Sequence, residues 1–130
     1  MRGELSDVPT KLQELRDLAG EDTARRMVQM LVIEIENVVP KILKLIEQSD
    51  LTAASNLAHG LGGVTASVGC SQLAQVARSL EADLRAGNID PELMSQMCLA
   101  AREAKLDLDA FLLQSKPEGF SVRQTAARTA

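Results

Sequence analysis

Residues 51–69 read LTAASNLAHGLGGVTASVG, and their periodicity decides the fold. Ala54, Leu57, Leu61, Val64 and Val68 recur at the alternating three- and four-residue spacing of a single buried helical face, without the alternation a strand would need. Asp50 or Leu51 opens this helix and Gly69 closes it. On a wheel at ~100° per residue, His59 points away from the apolar stripe. Thr52, Ser55, Asn56, Gly62, Gly63 and Ala66 share its side, and all of them are small or polar.

The flanking segments repeat the helical pattern. Leu12, Leu15 and Leu18 follow Thr10 and stop at Gly20, which predicts a short first helix. Glu21 and Asp22 then open a long segment carrying Met27, Met30, Leu31, Ile35, Val38, Ile42, Leu45 and Ile46. Pro40 lies inside it and predicts a kink or break near Asn37–Val39. From Cys70 to Ala86 the stripe is Leu73, Val76, Ala77, Leu80 and Leu84, with Gly87 as a stop. Asp90-Pro91 starts a last helix along Leu93, Met97, Ala100, Ala104, Leu108, Phe111 and Leu112. Four substantial amphipathic helices on short connections imply an all-α, antiparallel up-down four-helix bundle with a short extra N-terminal helix. Its expected bounds are residues 10–114, after a loose lead-in over 1–9 and before a flexible tail over 115–130, where Phe120 and Val122 are candidates to dock on the bundle.

Composition agrees. A chain of 130 residues supports one domain with one core. Two Phe, no Trp and no Tyr leave a core of aliphatic residues, which suits helices better than strands. A net charge of −4 gives no electrostatic reason to expect nucleic acid or an anionic membrane. No apolar run approaches the roughly 20 residues of a membrane span and no signal peptide is recognisable, so a cytoplasmic protein is expected. Cys70 and Cys98 lack metal-ligand or CxxC spacing and read as reduced core residues, and no metal site is visible.

A lone histidine is most often a satisfied core residue, but that requires an apolar face, and His59 lacks one. The competing explanation is an incidental surface histidine. Against it stand Gly60, Gly62 and Gly63, each of which costs roughly 0.8–1.0 kcal/mol relative to alanine inside a helix. Small residues beside a histidine let another protein and a phosphoryl group approach its ring closely.

At this point the chain resembles the histidine phosphotransfer (HPt) family. The resemblance lies in Leu57-Ala58-His59-Gly60-Leu61-Gly62-Gly63, then Val68-Gly69, then Leu80-Glu81. The family pattern is A-H-x-L-K-G, a glycine ending the helix, and a leucine–glutamate pair in the next, and the helix layout matches from about Leu12 to Leu112. The resemblance implies that His59 accepts a phosphoryl group from the aspartyl phosphate of a response-regulator receiver domain and passes it to another. It implies a phosphocarrier without autokinase activity, acting as a cytoplasmic monomer on receivers, that of a hybrid sensor histidine kinase among them. Such a carrier has no cofactor of its own, because the receiver supplies Mg²⁺. Gly63 matches the glycine that lets the phosphoryl group sit close to the helix.

One position departs from the family: Gly62 stands where lysine is common. A replacement cation is conceivable in Arg85, one turn from Glu81 and spaced to pair with it, and Ser55 shares the histidine's side. An ordinary solvated Glu81–Arg85 pair is the plainer explanation of that spacing. Three other readings compete. A kinase dimerisation helix follows its histidine with an acidic residue, unlike Gly60-Leu61, and a phosphate-binding loop follows a strand, which is lacking. The third is a non-phosphorylated helical module that docks on a receiver or another signalling partner.

Overall fold

In a computed structural model, the residues described are 7–114, and they form five helices with no strand among them. The expected tail, with Phe120 and Val122, and residues 1–6 of the expected lead-in lie outside the described residues. We label the helices α1 (Val8–Ala19), α2 (Glu21–Glu47), α3 (Leu51–Ser67), α4 (Ser71–Arg85) and α5 (Pro91–Gln114). α2 packs on α3, α3 on α4, α4 on α5 and α5 back on α2, while α1 lies against α2 and α5. The product is a helical bundle around one aliphatic core.

The first helix begins at Val8, two residues before Thr10, so Val8 and Pro9 belong to the bundle and not to a lead-in. Proline is at home in a first turn, where its missing N–H has no intrahelical partner to lose. Val8 and Leu12 are buried in the core, whereas Leu18, expected on the apolar stripe, is exposed. The start of α1 is held by the Asp7 N–H, which donates to the Gly69 carbonyl at the end of α3 (2.8 Å).

α2 runs through Pro40 without the expected break. An interior proline costs about 3 kcal/mol. Here its ring is exposed while Val39 and Ile42 on either side are buried, and burying each of those side chains contributes roughly 1.5–3 kcal/mol. Packing therefore holds the helix across the missing hydrogen bond. The buried stripe of α2 is Ala24, Val28, Leu31, Ile35, Val39, Ile42 and Ile46, so Met27 and Met30, expected inside, face outward.

α4 and α5 follow their sequence patterns closely. Leu73, Ala77, Leu80 and Leu84 are buried on α4, and Met97, Ala100, Ala104, Leu108 and Phe111 on α5. Asp90 caps α5 by accepting from the Glu92 N–H (2.9 Å). Cys70 is buried as expected, but Cys98 is exposed, which corrects its placement in the core; both are free thiols. Burial, and after it the negative charge of Asp107, push the Cys70 thiol up to about 12.

Candidate functional site

α3 starts where Asp50 accepts from the Ala53 N–H (3.2 Å) and closes at Val68, ahead of Gly69. Within it the buried residues are Ala54, Ser55, Ala58, Leu61, Gly62 and Thr65. Leu57 and Val68 are half-buried and Val64 is 43% exposed. The buried arc is thus turned by about 80°, at ~100° per residue, from the stripe that the large apolar residues predict. Small residues explain the turn. Ser55, Ala58 and Gly62 are small enough to be buried against neighbouring helices, Gly62 against α4, and the two buried hydroxyls satisfy themselves within the helix. Ser55 Oγ donates to the Thr52 carbonyl (2.8 Å) and Thr65 Oγ1 to the Leu61 carbonyl (2.6 Å).

This rotation corrects two expected placements. Ser55 does not share an open face with His59; it is buried, with its hydroxyl already used. Gly62 is buried as well. A Cβ built on it would meet Arg78 Cγ at 3.4 Å, the Ala74 carbonyl oxygen at 3.6 Å and Ala77 Cβ at 3.7 Å. Its small size serves helix packing. Gly60 and Gly63 are different: both are exposed, and a Cβ on either would meet nothing within 4 Å.

His59 now lies on the flank of α3 that borders α4, with its side chain 72% exposed. Its Nδ1 lies 3.1 and 3.0 Å from the two carboxylate oxygens of Glu81 on α4. An ionised carboxylate only accepts, so Nδ1 is the donor, and in the neutral ring the lone pair sits on Nε2, the nitrogen not engaged by Glu81. Glu81 is 16% exposed and is held in turn by Arg85, whose Nε and terminal nitrogen both reach the same oxygen at 2.9 Å. Burial alone would raise the Glu81 pKa. The hydrogen bonds from Arg85 and from His59, together with their charges, outweigh it and hold the carboxyl below its ordinary value.

Of the residues singled out in the sequence, the structure therefore brings His59, Glu81 and Arg85 into one chain of contacts. It leaves Gly63 on the open surface, buries Ser55 and removes Gly62 to the α3–α4 interface. Arg85, a conceivable replacement cation, makes the plainer pair with Glu81 that its spacing predicts. The contacts also run in opposite order along the two helices: His59 meets Glu81, and three residues on Gly62 meets Arg78, three residues back. Arg78 escaped the sequence reading, although pairing position 59 with 81 across antiparallel helices would have brought 62 against 78. Among the described residues no group of three or more His, Cys, Asp or Glu could hold a metal ion, and no helix is long and apolar enough to cross a membrane.

A family model described as "Hpt domain" matches residues 26–114, which takes in α3, α4, α5 and most of α2. No curated protein and no solved structure matches the chain.

Proposed function

The chain belongs to the Hpt domain family and so to phosphotransfer in two-component signalling, and on that premise we propose that His59 is the phosphoryl acceptor of a relay between receiver domains. The observation that carries the proposal is an exposed imidazole whose Nδ1 is tied to Glu81, leaving Nε2 as the nucleophile. The Nε2 lone pair attacks the phosphorus of a receiver's aspartyl phosphate. An N–P bond forms, the acyl P–O bond breaks, and the aspartate leaves as a carboxylate. The Nδ1 proton stays where it is, so the ring becomes a phosphorylated imidazolium whose positive charge is balanced by Glu81. Reversal delivers the group to a second receiver.

Three features support the finer reading. Gly60 and Gly63 leave the helix bare beside the ring, so a receiver loop meets little obstruction there. Val64, exposed on the same helix, offers an apolar contact for docking. The cyclic packing of α2 to α5 and the opposed contact order of α3 and α4 favour an antiparallel up-down bundle that completes its own core as a monomer. The carrier acts in the cytoplasm without autokinase activity, and Mg²⁺ belongs to the receiver.

The test is transfer from a phosphorylated receiver to the purified protein, with His59→Gln beside it. Acid-labile, base-stable label on the wild type and none on the variant is the expected result. Wild-type protein that binds receivers yet stays unlabelled would overturn the carrier role and leave a docking module.

A further inference from the structure

A phosphoryl group on His59 brings up to two negative charges and three acceptor oxygens to a place whose nearest charged neighbour is the Glu81 carboxylate. A cation close by is needed to offset that charge. Arg85 is committed to Glu81 through two contacts of 2.9 Å. Resting on the phosphoacceptor role of His59, we propose that Arg78 is the residue that binds the phosphoryl group. Its aliphatic stem lies over the bare backbone of Gly62, with Cγ 3.4 Å from where a Cβ would stand. Gly62 is one turn along α3 from His59, and residues so spaced have Cβ atoms about 5–6 Å apart. Arg78 is exposed and sits one turn before Glu81, the partner of His59, on α4, so a stem that crosses Gly62 can carry its guanidinium to the side of the imidazole. Among the described residues no hydrogen bond or ion pair engages it. A planar fork of N–H donors on a stem long enough to cross one helical turn suits a phosphoryl group that arrives and departs.

The absence of a side chain at Gly62 and the presence of Arg78 are then one arrangement. A long side chain at position 62 would leave the helix in the direction the Arg78 stem now takes. The cation is supplied from α4 across α3 instead of from α3 itself.

The test needs no receiver. Phosphoramidate phosphorylates exposed histidines directly: Nε2 attacks phosphorus, the P–N bond breaks and ammonia leaves. The wild type, Arg78→Ala, Arg78→Lys, Gly62→Lys/Arg78→Ala and His59→Gln are treated with potassium phosphoramidate, and ³¹P NMR follows the labelling rate, the phosphohistidine lifetime and the pH titration of the phosphoryl group. Arg78→Ala should shorten the lifetime by about three- to tenfold, the range of a charge-assisted contact at an exposed site. It should also shift the phosphoryl titration to higher pH, because a lost cation makes the second proton easier to keep. Arg78→Lys and the double variant should restore most of both. Circular dichroism melts keep folding apart from binding, and a titration shift is something a merely structural arginine would not produce. Lifetime and titration unchanged in Arg78→Ala overturn the assignment while leaving His59 as acceptor. No label on the wild type overturns the acceptor role, and this assignment with it.

Discussion

Gly69→Ala is the substitution for which the structure gives the largest steric argument. Gly69 has φ +86°, a left-handed conformation that costs a residue with a Cβ roughly 1–2 kcal/mol. An alanine Cβ there would also lie 2.4 Å from the carbonyl carbon and oxygen of Asp7 and 2.7 Å from the nitrogen of Val8. These are backbone atoms, so the start of α1 must move. Movement breaks the bond from the Asp7 N–H to the Gly69 carbonyl (2.8 Å), worth about 0.5–1.5 kcal/mol, and disturbs Val8, whose side chain is buried. The loss should therefore be about 1.5–3.5 kcal/mol before any exposure of Val8. At ~4 °C per kcal/mol for a chain of this size, Tm should fall by roughly 6–14 °C. Gly87→Ala is the control. Its φ is +81°, but a Cβ would meet nothing within 4 Å, so it carries the dihedral penalty alone. Both variants share the small gain from a stiffer unfolded chain, which cancels in the difference. The measurement is a pair of thermal and denaturant melts followed by circular dichroism. If Gly69→Ala melts no lower than Gly87→Ala, the contact with Asp7 has no energetic weight and the reasoning fails.

Gly60→Ala and Gly63→Ala should each stabilise the protein by up to about 0.8–1.0 kcal/mol, since each removes an interior helical glycine into open space. Both should nonetheless slow transfer from a receiver; melts and transfer rates on one preparation check the pair, and faster transfer would contradict the role given to the bare helix surface. A thiol reagent under native conditions should modify Cys98 readily and Cys70 only on unfolding, because Cys70 is buried with its pKa raised to about 12; mass spectrometry of the labelled peptides decides. The Glu81 carboxyl is depressed below its ordinary 4.5, so its ionised form contributes stability that is present above that pH and lost as pH falls through the folded-state value. The stability gap between the wild type and Glu81→Gln, followed by denaturant melts across pH, should accordingly narrow as the carboxyl is protonated in the acid range. A gap that stayed constant through that range would refute the stabilising role of the carboxylate.

How much of this was legible beforehand differs from helix to helix, and the reason is physical. In α4 and α5 the periodicity predicts the core closely, because the buried positions are apolar residues whose hydrophobicity and burial coincide. In α3 the buried arc lies most of a quarter turn from the stripe that hydropathy predicts. Its apolar moment is drawn toward the large side chains Leu57, Val64 and Val68, yet the residues it buries include Ser55, Ala58 and Gly62, the last against α4. Burial there follows size and not hydrophobicity, since a serine or threonine that bonds back to its own helix can be buried at little cost. Hydropathy has no term for that. Likewise the local chemistry of Pro40 predicts a kink or break, whereas the helix continues through it with Val39 and Ile42 buried in the core.

The displaced arc of α3 also bears on the site. A histidine directly opposite the core would have been the incidental surface residue that its exposure suggests, with no carboxylate within reach. The quarter turn that small residues allow brings His59 to the border with α4, and only there can Nδ1 meet both oxygens of Glu81. The same turn buries Gly62 and lays Arg78 across it. Close helix packing, the orientation of the imidazole and the placement of a cation are therefore consequences of one feature, the run of small residues that α3 buries. Enlarging that run would be expected to disturb all three together. Gly62→Leu, which forces the Arg78 stem aside, should impair phosphohistidine lifetime and melting temperature in the same variant, while Val64→Ala on the opposite flank should leave the lifetime unchanged.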